Sequence, residues 1–386
     1  MNKKFIDYCV GCGLCEAKGK ADCAEDARGY LYPLSGDEAW MRRVCPSGGN
    51  QQSWMDFSKI WGRAEKVWYG WSKDDEVRHS ASSGGILTET AAYLLERHYV
   101  DAVIHTMADP DDPTQTVSCL SCSREELIAR SGSRYSISHP LRMCSSLDKS
   151  KKYAFIGKSC DVVALRNYMT IEPELEKNIP YIMSFFCMGL PSKDAQDNLV
   201  DHLGVDRNRL SSLRYRGEGW PGFTIAKDIE GKIYQTDYNT SWDKILGRDV
   251  MKACRFCIDG IGEAADISCG DAWYLTKDMK PDFTESDGRN VIFARTTKGQ
   301  QLLEEMIRDE AIEVIETTAD ELKYIQKSQW ERRATMVDRI LALKVLGRPA
   351  PKYAFKNLRK YAREVNLRRH LSVLKGTASR VLKHKI

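Results

Sequence analysis

At 386 residues, with 42% hydrophobic and 29% charged side chains, the chain is long enough for two or three compact units, each with its own core. No run approaches the roughly eighteen apolar residues of a spanning helix; the best stretch, Tyr181 to Leu190, is about half that, so a membrane span is excluded. The net charge of +4 hides a split, because residues 331–386 hold 16 Lys and Arg against 3 Asp and Glu, a local +13 that leaves −9 for residues 1–330.

Thirteen cysteines are the compositional anomaly. The start Met1-Asn2-Lys3-Lys4-Phe5 carries no apolar signal core, so a reducing cytoplasm is expected rather than a disulfide framework. Cys9-Val10-Gly11-Cys12-Gly13-Leu14-Cys15 places three cysteines two residues apart, the spacing of a loop wrapped around a 4Fe-4S cluster, whereas structural zinc usually joins two separate pairs. The fourth ligand often comes as Cys-Pro, which Cys45-Pro46 supplies; Cys23, eight residues past the triplet, is its rival. Residues 1–62 thus read as a small ferredoxin-like module with little core, stapled by its cluster and packed onward through Trp54 and Trp61.

From Val67 the pattern alternates between strand and helix, predicting a mixed α/β region that closes near residue 320. Ser82-Ser83-Gly84-Gly85 opens a helix over Ile86 to Leu95, and Val100 to Ile104 is a strand. Small residues at a helix start can cradle a phosphate or simply cap. Tyr153 to Gly157 is a buried strand running into Lys158-Ser159-Cys160-Asp161 and a helix; Tyr181 to Phe186 repeats this and ends at Cys187, before a helix near Ser192. Both cysteines therefore fall beyond strand carboxyl ends, where α/β sheets gather ligands. Phe223 to Ile229 and Ile233 to Thr236 read as a hairpin. Cys254-Arg255-Phe256-Cys257 then supplies the pair that completes a second 4Fe-4S set of Cys160, Cys187, Cys254 and Cys257; zinc in the same cage or a Cys254–Cys257 disulfide are the alternatives. Strands follow over Ala265 to Trp273, Asn290 to Thr296 and Ile312 to Glu316, with a helix over Gln300 to Arg308. Cys144 and Cys269 read as structural, Cys119 and Cys122 as structural or as a redox-active pair, and His79 and Asp271 as hydrogen-bonding residues that are acid–base candidates by position only.

The tail, residues 331–386, reads as basic amphipathic helix interrupted at Gly347 to Pro351. It is either a solvated appendage or a docking element for an acidic protein, such as an electron donor, or an anionic membrane surface at the cytoplasmic face; its deletion is expected to leave cofactors in place on either reading, and no nucleic acid is expected.

With Cys9-x-x-Cys12-Gly13-x-Cys15, Ser82 to Gly85, Gly132-Ser133-Arg134-Tyr135, Gly157-Lys158-Ser159-Cys160, Cys187-Met188-Gly189, Cys254-x-x-Cys257 and Ala265-Asp266-Ile267-Ser268-x-Gly270-Asp271, the chain resembles the coenzyme F420 (deazaflavin) hydrogenase/dehydrogenase beta-subunit family. The resemblance covers most of residues 5 to 320 and implies an N-terminal family domain over 63–150 and a C-terminal one with the second cluster over 151–330. It implies FAD between them, contacted by Ser82, Ser83, Gly84, Gly85, Ser133, Arg134, Tyr135, Gly157 and Lys158. It further implies electrons passing from ferredoxin or another low-potential donor through two clusters to FAD and an organic acceptor. The alternatives are an electron-transfer subunit without its own substrate site, or an accessory redox protein of surface-polysaccharide synthesis. Gly157-Lys158-Ser159-Cys160 and Cys187-Met188-Gly189 replace the family's usual Gly-Thr-Pro-Cys and Cys-His-Gly.

Overall fold

The computed structural model describes residues 6–383; the expectations for Met1 to Phe5 and for the last three residues of the tail lie outside the described residues. A two-stranded antiparallel ribbon comes first, β1 (Ala21–Glu25) against β2 (Leu31–Gly36), followed by helix α1 (Glu38–Val44), which Asp37 caps through the Trp40 amide. Next come β3 (Lys66–Ser72), α2 (Ile86–Glu96), β4 (Ala102–Ala108) and β5 (Thr116–Ser121). β6 (Tyr153–Lys158) leads into α3 (Ser159–Met169), and β7 (Tyr181–Phe185) into α4 (Lys193–Leu203). A small antiparallel sheet of β8 (Leu210–Arg214), β9 (Thr224–Asp228) and β10 (Ile233–Thr236) contains the expected hairpin. β11 (Ile267–Asp271), β12 (Asn290–Ala294), α5 (Thr297–Arg308) and β13 (Ile312–Glu316) complete the central region.

Eight of these strands form one mixed sheet in the order β13-β3-β12-β11-β7-β6-β4-β5. The four central strands β4, β6, β7 and β11 run parallel, and the outer ones are antiparallel to their neighbours. The two-residue period of a strand sorts its side chains between two layers. Val103, Ala154 and Met183 pack beneath α2 and α5, while their neighbours Ile104, Phe155 and Ile182 pack on the other side with Val162, Val163 and Leu165 of α3. Each of those buried aliphatic side chains is worth about 1.5–3 kcal/mol relative to exposure.

Segments 63–150 and 151–330 are accordingly not separate bodies. β4 pairs with β6, and β3 lies between β12 and β13, so each segment alone would leave open sheet edges. The N-terminal segment is likewise docked rather than free-standing: Trp54 Nε1 donates to Asn167 Oδ1 of α3 (2.8 Å), Asn167 Nδ2 donates to Val44 O (3.0 Å), and Trp61 stacks on Phe186.

The tail corrects a second expectation. It forms α6 (Lys327–Ala334), α7 (Met336–Val345), α8 (Phe355–Ala362) and α9 (Leu367–Leu382), so the boundary at residue 331 falls inside α6. Met336, Ile340, Leu343, Leu358, Tyr361 and Val381 share a core with Tyr8, Phe57, Phe256 and Ile258, which makes the tail an integral cap over the N-terminal segment and the Cys254–Cys257 loop. Arg333 is fully buried and bonded to Glu263 Oε1 (2.5 Å), Tyr361 Oη (2.9 Å) and Ile258 O (3.0 Å).

Candidate functional site

Three cavities lie in a row. The first, with about 500 Å³ of empty space, is lined by Cys9, Cys12, Cys15, Cys23 and Cys45 together with Val10, Leu31, Trp40 and Ala164. The tight loop uses Gly11 (φ +62°) and Gly13 (φ +80°), conformations that a side chain would strain. Both rivals for a fourth ligand are present, because the β1–β2 ribbon brings Cys23 Sγ to 3.9 Å from Cys15 Sγ and near Cys9, while Cys45, at the end of α1, lies near Cys9 and Cys12. Burial pushes the Cys9 and Cys12 thiols well up, with Cys45 the next contributor for both; the hydrogen bond with Cys23 lowers Cys15 and raises Cys23.

The second cavity, about 660 Å³, is lined by Cys160, Cys187, Cys254 and Cys257. Cys160 opens α3 and Cys187 follows β7, as their places beyond the strand ends require, and the Cys254 loop closes the opposite side. The Cys187 backbone is clamped: its amide donates to Gly260 O (2.8 Å), and its carbonyl accepts from Gln329 Nε2 (3.0 Å) and Arg332 Nη2 (2.7 Å). Gly260 leaves no room for a methyl group against the Arg332 guanidinium. Tail residues Arg332, Pro351 and Tyr353 are part of this wall, so the tail is not dispensable to the cavity. Burial pushes Cys254 up to about 12 and Cys257 to about 11, and raises Cys160 and Cys187 as well.

The third is larger than the first two, an open cleft with about 2090 Å³ of empty space including its solvent-filled mouth, and sits beyond the carboxyl ends of β6, β7 and β11. Ser82, Ser83, Gly85, Ser133, Arg134, Tyr135, Gly157 and Lys158 all line it. Gly84 does not: an added Cβ would meet Gly70 O at 2.6 Å and Asn290 N at 2.8 Å, so this glycine lets the loop lie against β3 and β12. The loop is fixed by Ser133 N donating to Ser82 Oγ (2.6 Å) and Ser83 Oγ donating to Arg289 O (2.8 Å). Gly85 (φ +78°) starts α2 without a side-chain cap; in the first turn, Ile86 to Thr88, which lines the cavity, the Ile86 amide donates to Asn290 Oδ1 (3.3 Å), leaving the amides of Leu87 and Thr88 toward a ligand. The Arg134 guanidinium is committed elsewhere, donating to Pro113 O, Gln115 O and Leu213 O while packed over Tyr215.

Lys158 is the junction. It lines both the second and third cavities, and its buried ammonium donates to Ser138 Oγ (2.9 Å) and pairs with Asp161 Oδ2 at 2.8 Å. Burial pulls this ammonium down, but Asp161 together with Cys160 and Cys187 outweighs it and holds the charge. Cys187, Gly189 and Leu190 also belong to both cavities, and Val10 belongs to the first two.

The far wall of the third cavity was not foreseen from sequence. Tyr238, Trp242, Trp273 and Phe283 form an aromatic surface, and the buried Arg216 lies over Tyr238 and Trp273 with both terminal nitrogens on Asp271 (2.9 and 3.0 Å). The high aromatic density of residues 215–283 was the available signal. Asp271 also accepts from Trp220 Nε1, the hydrogen-bonding role expected of it, whereas His79 does not line the cavity. Cys269 and Cys144 are buried in the core, and Cys119 lies on edge strand β5.

Two family models match, those for the N-terminal and C-terminal parts of the coenzyme F420 hydrogenase/dehydrogenase beta subunit, the first over residues 67–144 and the second over residues 150–320. The coenzyme F420 hydrogenase subunit beta of Methanosarcina barkeri is 24% identical over 282 residues, covering 69% of this chain and 89% of that protein. The 7-hydroxymethyl chlorophyll a reductase of Oryza sativa subsp. japonica is 24% identical over 300 residues, 77% of this chain and 60% of the relative. In fold, the chain is similar to a chain of the F420-reducing NiFe hydrogenase complex from Methanosarcina barkeri, with a TM-score of 0.59 at 20% identity over 76% of this chain and 98% of that one. These relatives are named for redox chemistry, and the two family models together span most of the sequence. The chain belongs to the coenzyme F420 hydrogenase/dehydrogenase beta-subunit family.

Proposed function

We propose that the chain is an iron-sulfur flavoprotein oxidoreductase that relays electrons between a low-potential donor such as ferredoxin and an organic acceptor. The observation that carries this reading is the contiguity of the three cavities through Val10 and then through Cys187 and Lys158.

The residues suit the groups proposed. Both cysteine cavities offer thiols and no histidine, the donor set of iron-sulfur clusters. A tetrahedral zinc, with Zn–S near 2.3 Å, needs its sulfurs within roughly 4 Å of one another. Among the described residues no three metal-binding side chains converge to share one ion, and the thiols instead stand around voids. Cys254 and Cys257 are free thiols. We assign Cys9, Cys12, Cys15 and Cys45 to one 4Fe-4S cluster and Cys160, Cys187, Cys254 and Cys257 to another. Cys23 and Cys45 each neighbour two of the triplet thiols, Cys23 beside Cys15 and Cys9 and Cys45 beside Cys9 and Cys12; Cys45 is preferred because it is followed by Pro46.

When bound, the clusters supply single-electron transfer and FAD supplies the exchange between one- and two-electron chemistry. The chain's own residues do the rest. The Ser82 hydroxyl, held by the Ser133 amide, and the Leu87 and Thr88 amides in the first turn of α2 receive a phosphate. The rings of Tyr238, Trp242 and Trp273 offer a stacking face and exclude water. Lys158, fixed by Asp161 and Ser138, sets a positive charge at the wall shared with the second cysteine cavity, where it favours the more negative redox state on either side.

A second reading, an electron-transfer subunit of a larger complex, is favoured by the similar solved structure, which is that of a hydrogenase complex. Anaerobic purification with iron, sulfide and flavin analysis tests the cofactors: about eight iron and one flavin per chain are expected. About four iron, or no flavin, would overturn the relay. Turnover of a small-molecule acceptor by the isolated chain with reduced ferredoxin separates the enzyme from the subunit.

A further inference from the structure

The proposed relay makes no use of the surface of the C-terminal cap. Between residues 341 and 383 all twelve Lys and Arg residues are exposed, and Glu364 is the single acidic residue. The cap also exposes large aliphatic side chains: Val345 and Leu367 are each 73% accessible, Leu382 64% and Leu371 50%.

On α9 these leucines are not scattered. At about 100° per residue, Leu367, Leu371, Leu374, Ala378 and Leu382 fall within an arc of about 80° along one side of the helix. His370, Val373, Thr377 and Val381 form the neighbouring arc, where Thr377 and Val381 are buried and His370 bonds to Asp338 of α7 (2.7 Å). The apolar face of α9 is therefore wider than the part its own fold covers, with Leu367, Leu371 and Leu382 exposed and Leu374 and Ala378 half-buried between them. Arg368 and Lys375 border the uncovered half, and the remaining basic residues of the helix lie behind them.

We propose that the cap docks the protein on an anionic lipid surface, with the α9 leucine stripe seated at the headgroup boundary and the flanking Arg and Lys on lipid phosphates. An exposed apolar stripe edged by basic residues is the pattern of a helix lying in the membrane interface. No helix among the described residues is long and apolar enough to cross a membrane, so the association is peripheral. A second copy is a poor occupant, since two such surfaces would bring their unbalanced positive charges together. An acidic protein fits less well because six of the twelve basic residues are lysines, which protein interfaces deplete and anionic lipid surfaces attract.

The test uses the full chain and sedimentation with vesicles of phosphatidylcholine alone or with phosphatidylglycerol. Binding to the anionic vesicles only, weakened about tenfold at high salt, is expected. The exposed pair Leu367→Ser and Leu371→Ser should lower affinity about tenfold. Arg368→Glu with Lys375→Glu should weaken it comparably, all variants keeping the wild-type circular dichroism and unfolding midpoint. Equal binding to neutral vesicles, or no binding to either, overturns the proposal. So does anionic binding indifferent to the leucine pair and matched by retention on immobilised polyglutamate, which would point to an acidic protein partner. A dimer that the leucine pair converts to monomer would assign the stripe to self-association instead.

Discussion

Arg333→Met tests whether the C-terminal cap belongs to the fold. The guanidinium and the Glu263 carboxylate are 0% and 1% accessible, so neither can turn to water when its partner is removed. Arg333 also donates to Ile258 O and Tyr361 Oη, and Asp259, itself buried, lies 4.0 Å away. Removing one partner of such a pair leaves an uncompensated buried charge and costs about 3–5 kcal/mol. For a chain of this size the expected fall in Tm is roughly 5–10 °C. Burial already raises Glu263, and losing Arg333 removes the largest opposing influence. An acid whose folded pKa lies above its unfolded one opposes folding at high pH, so the deficit of the variant should shrink as pH falls from 8 toward 5. Urea unfolding at both pH values, followed by circular dichroism, reads these effects. The double variant Arg333→Met with Glu263→Leu should recover part of the loss. A deficit below about 1 kcal/mol, or one that grows on acidification, would refute the reasoning.

Truncation before residue 331 should release iron from the second cysteine cavity, because Arg332, Pro351 and Tyr353 line it; iron analysis against the full chain checks this. Cys45→Ser should lose about half of the iron and Cys23→Ser should retain it, as read by iron content and low-temperature EPR. Burial lowers the His105 imidazole to about 4. A base with a depressed folded pKa loses stability as pH drops below its unfolded value near 6.5, by about 2 kcal/mol at pH 5, and His105→Gln should flatten that part of the pH profile. Gly85→Ala should cost about 1–2 kcal/mol, from the positive φ and the contact with Val77 at 3.0 Å, and should weaken flavin binding measured by fluorescence titration.

The central sheet was legible because β6 and β7 are continuous apolar runs ending in cysteine, and a parallel strand buried on both faces writes itself that way. The hairpin of β9 and β10 was legible from its Glu230-Gly231 turn. What local patterns do not carry is strand order: β3 is inserted between β12 and β13, more than 200 residues on, so segments that look like successive domains share one sheet. The tail misled for a related reason. Arg332 and Arg333 add to a basic run in sequence, yet their partners, Cys187 O and Glu263, lie far away in the chain, and only the fold reveals that these charges point inward. Of the residues lining the cavities, the triplet and the Cys254–Cys257 pair were legible from spacing and Cys160 and Cys187 from their places after strands, whereas the aromatic wall around Arg216 has no spacing rule to betray it.

The absence of a methyl group at Gly260 makes the second cysteine cavity and the cap heritable only together. An alanine there would drive into the Arg332 guanidinium, which is pinned in turn between Gln329 Oε1 and the Cys187 carbonyl. Loss of Arg332 would remove the closest contact, leaving Gln329 Oε1 at 2.7 Å, but would release that carbonyl to its remaining donor, Gln329. Positions 260 and 332 should therefore covary among relatives that carry the C-terminal helices, and chains lacking those helices should be released from glycine at 260.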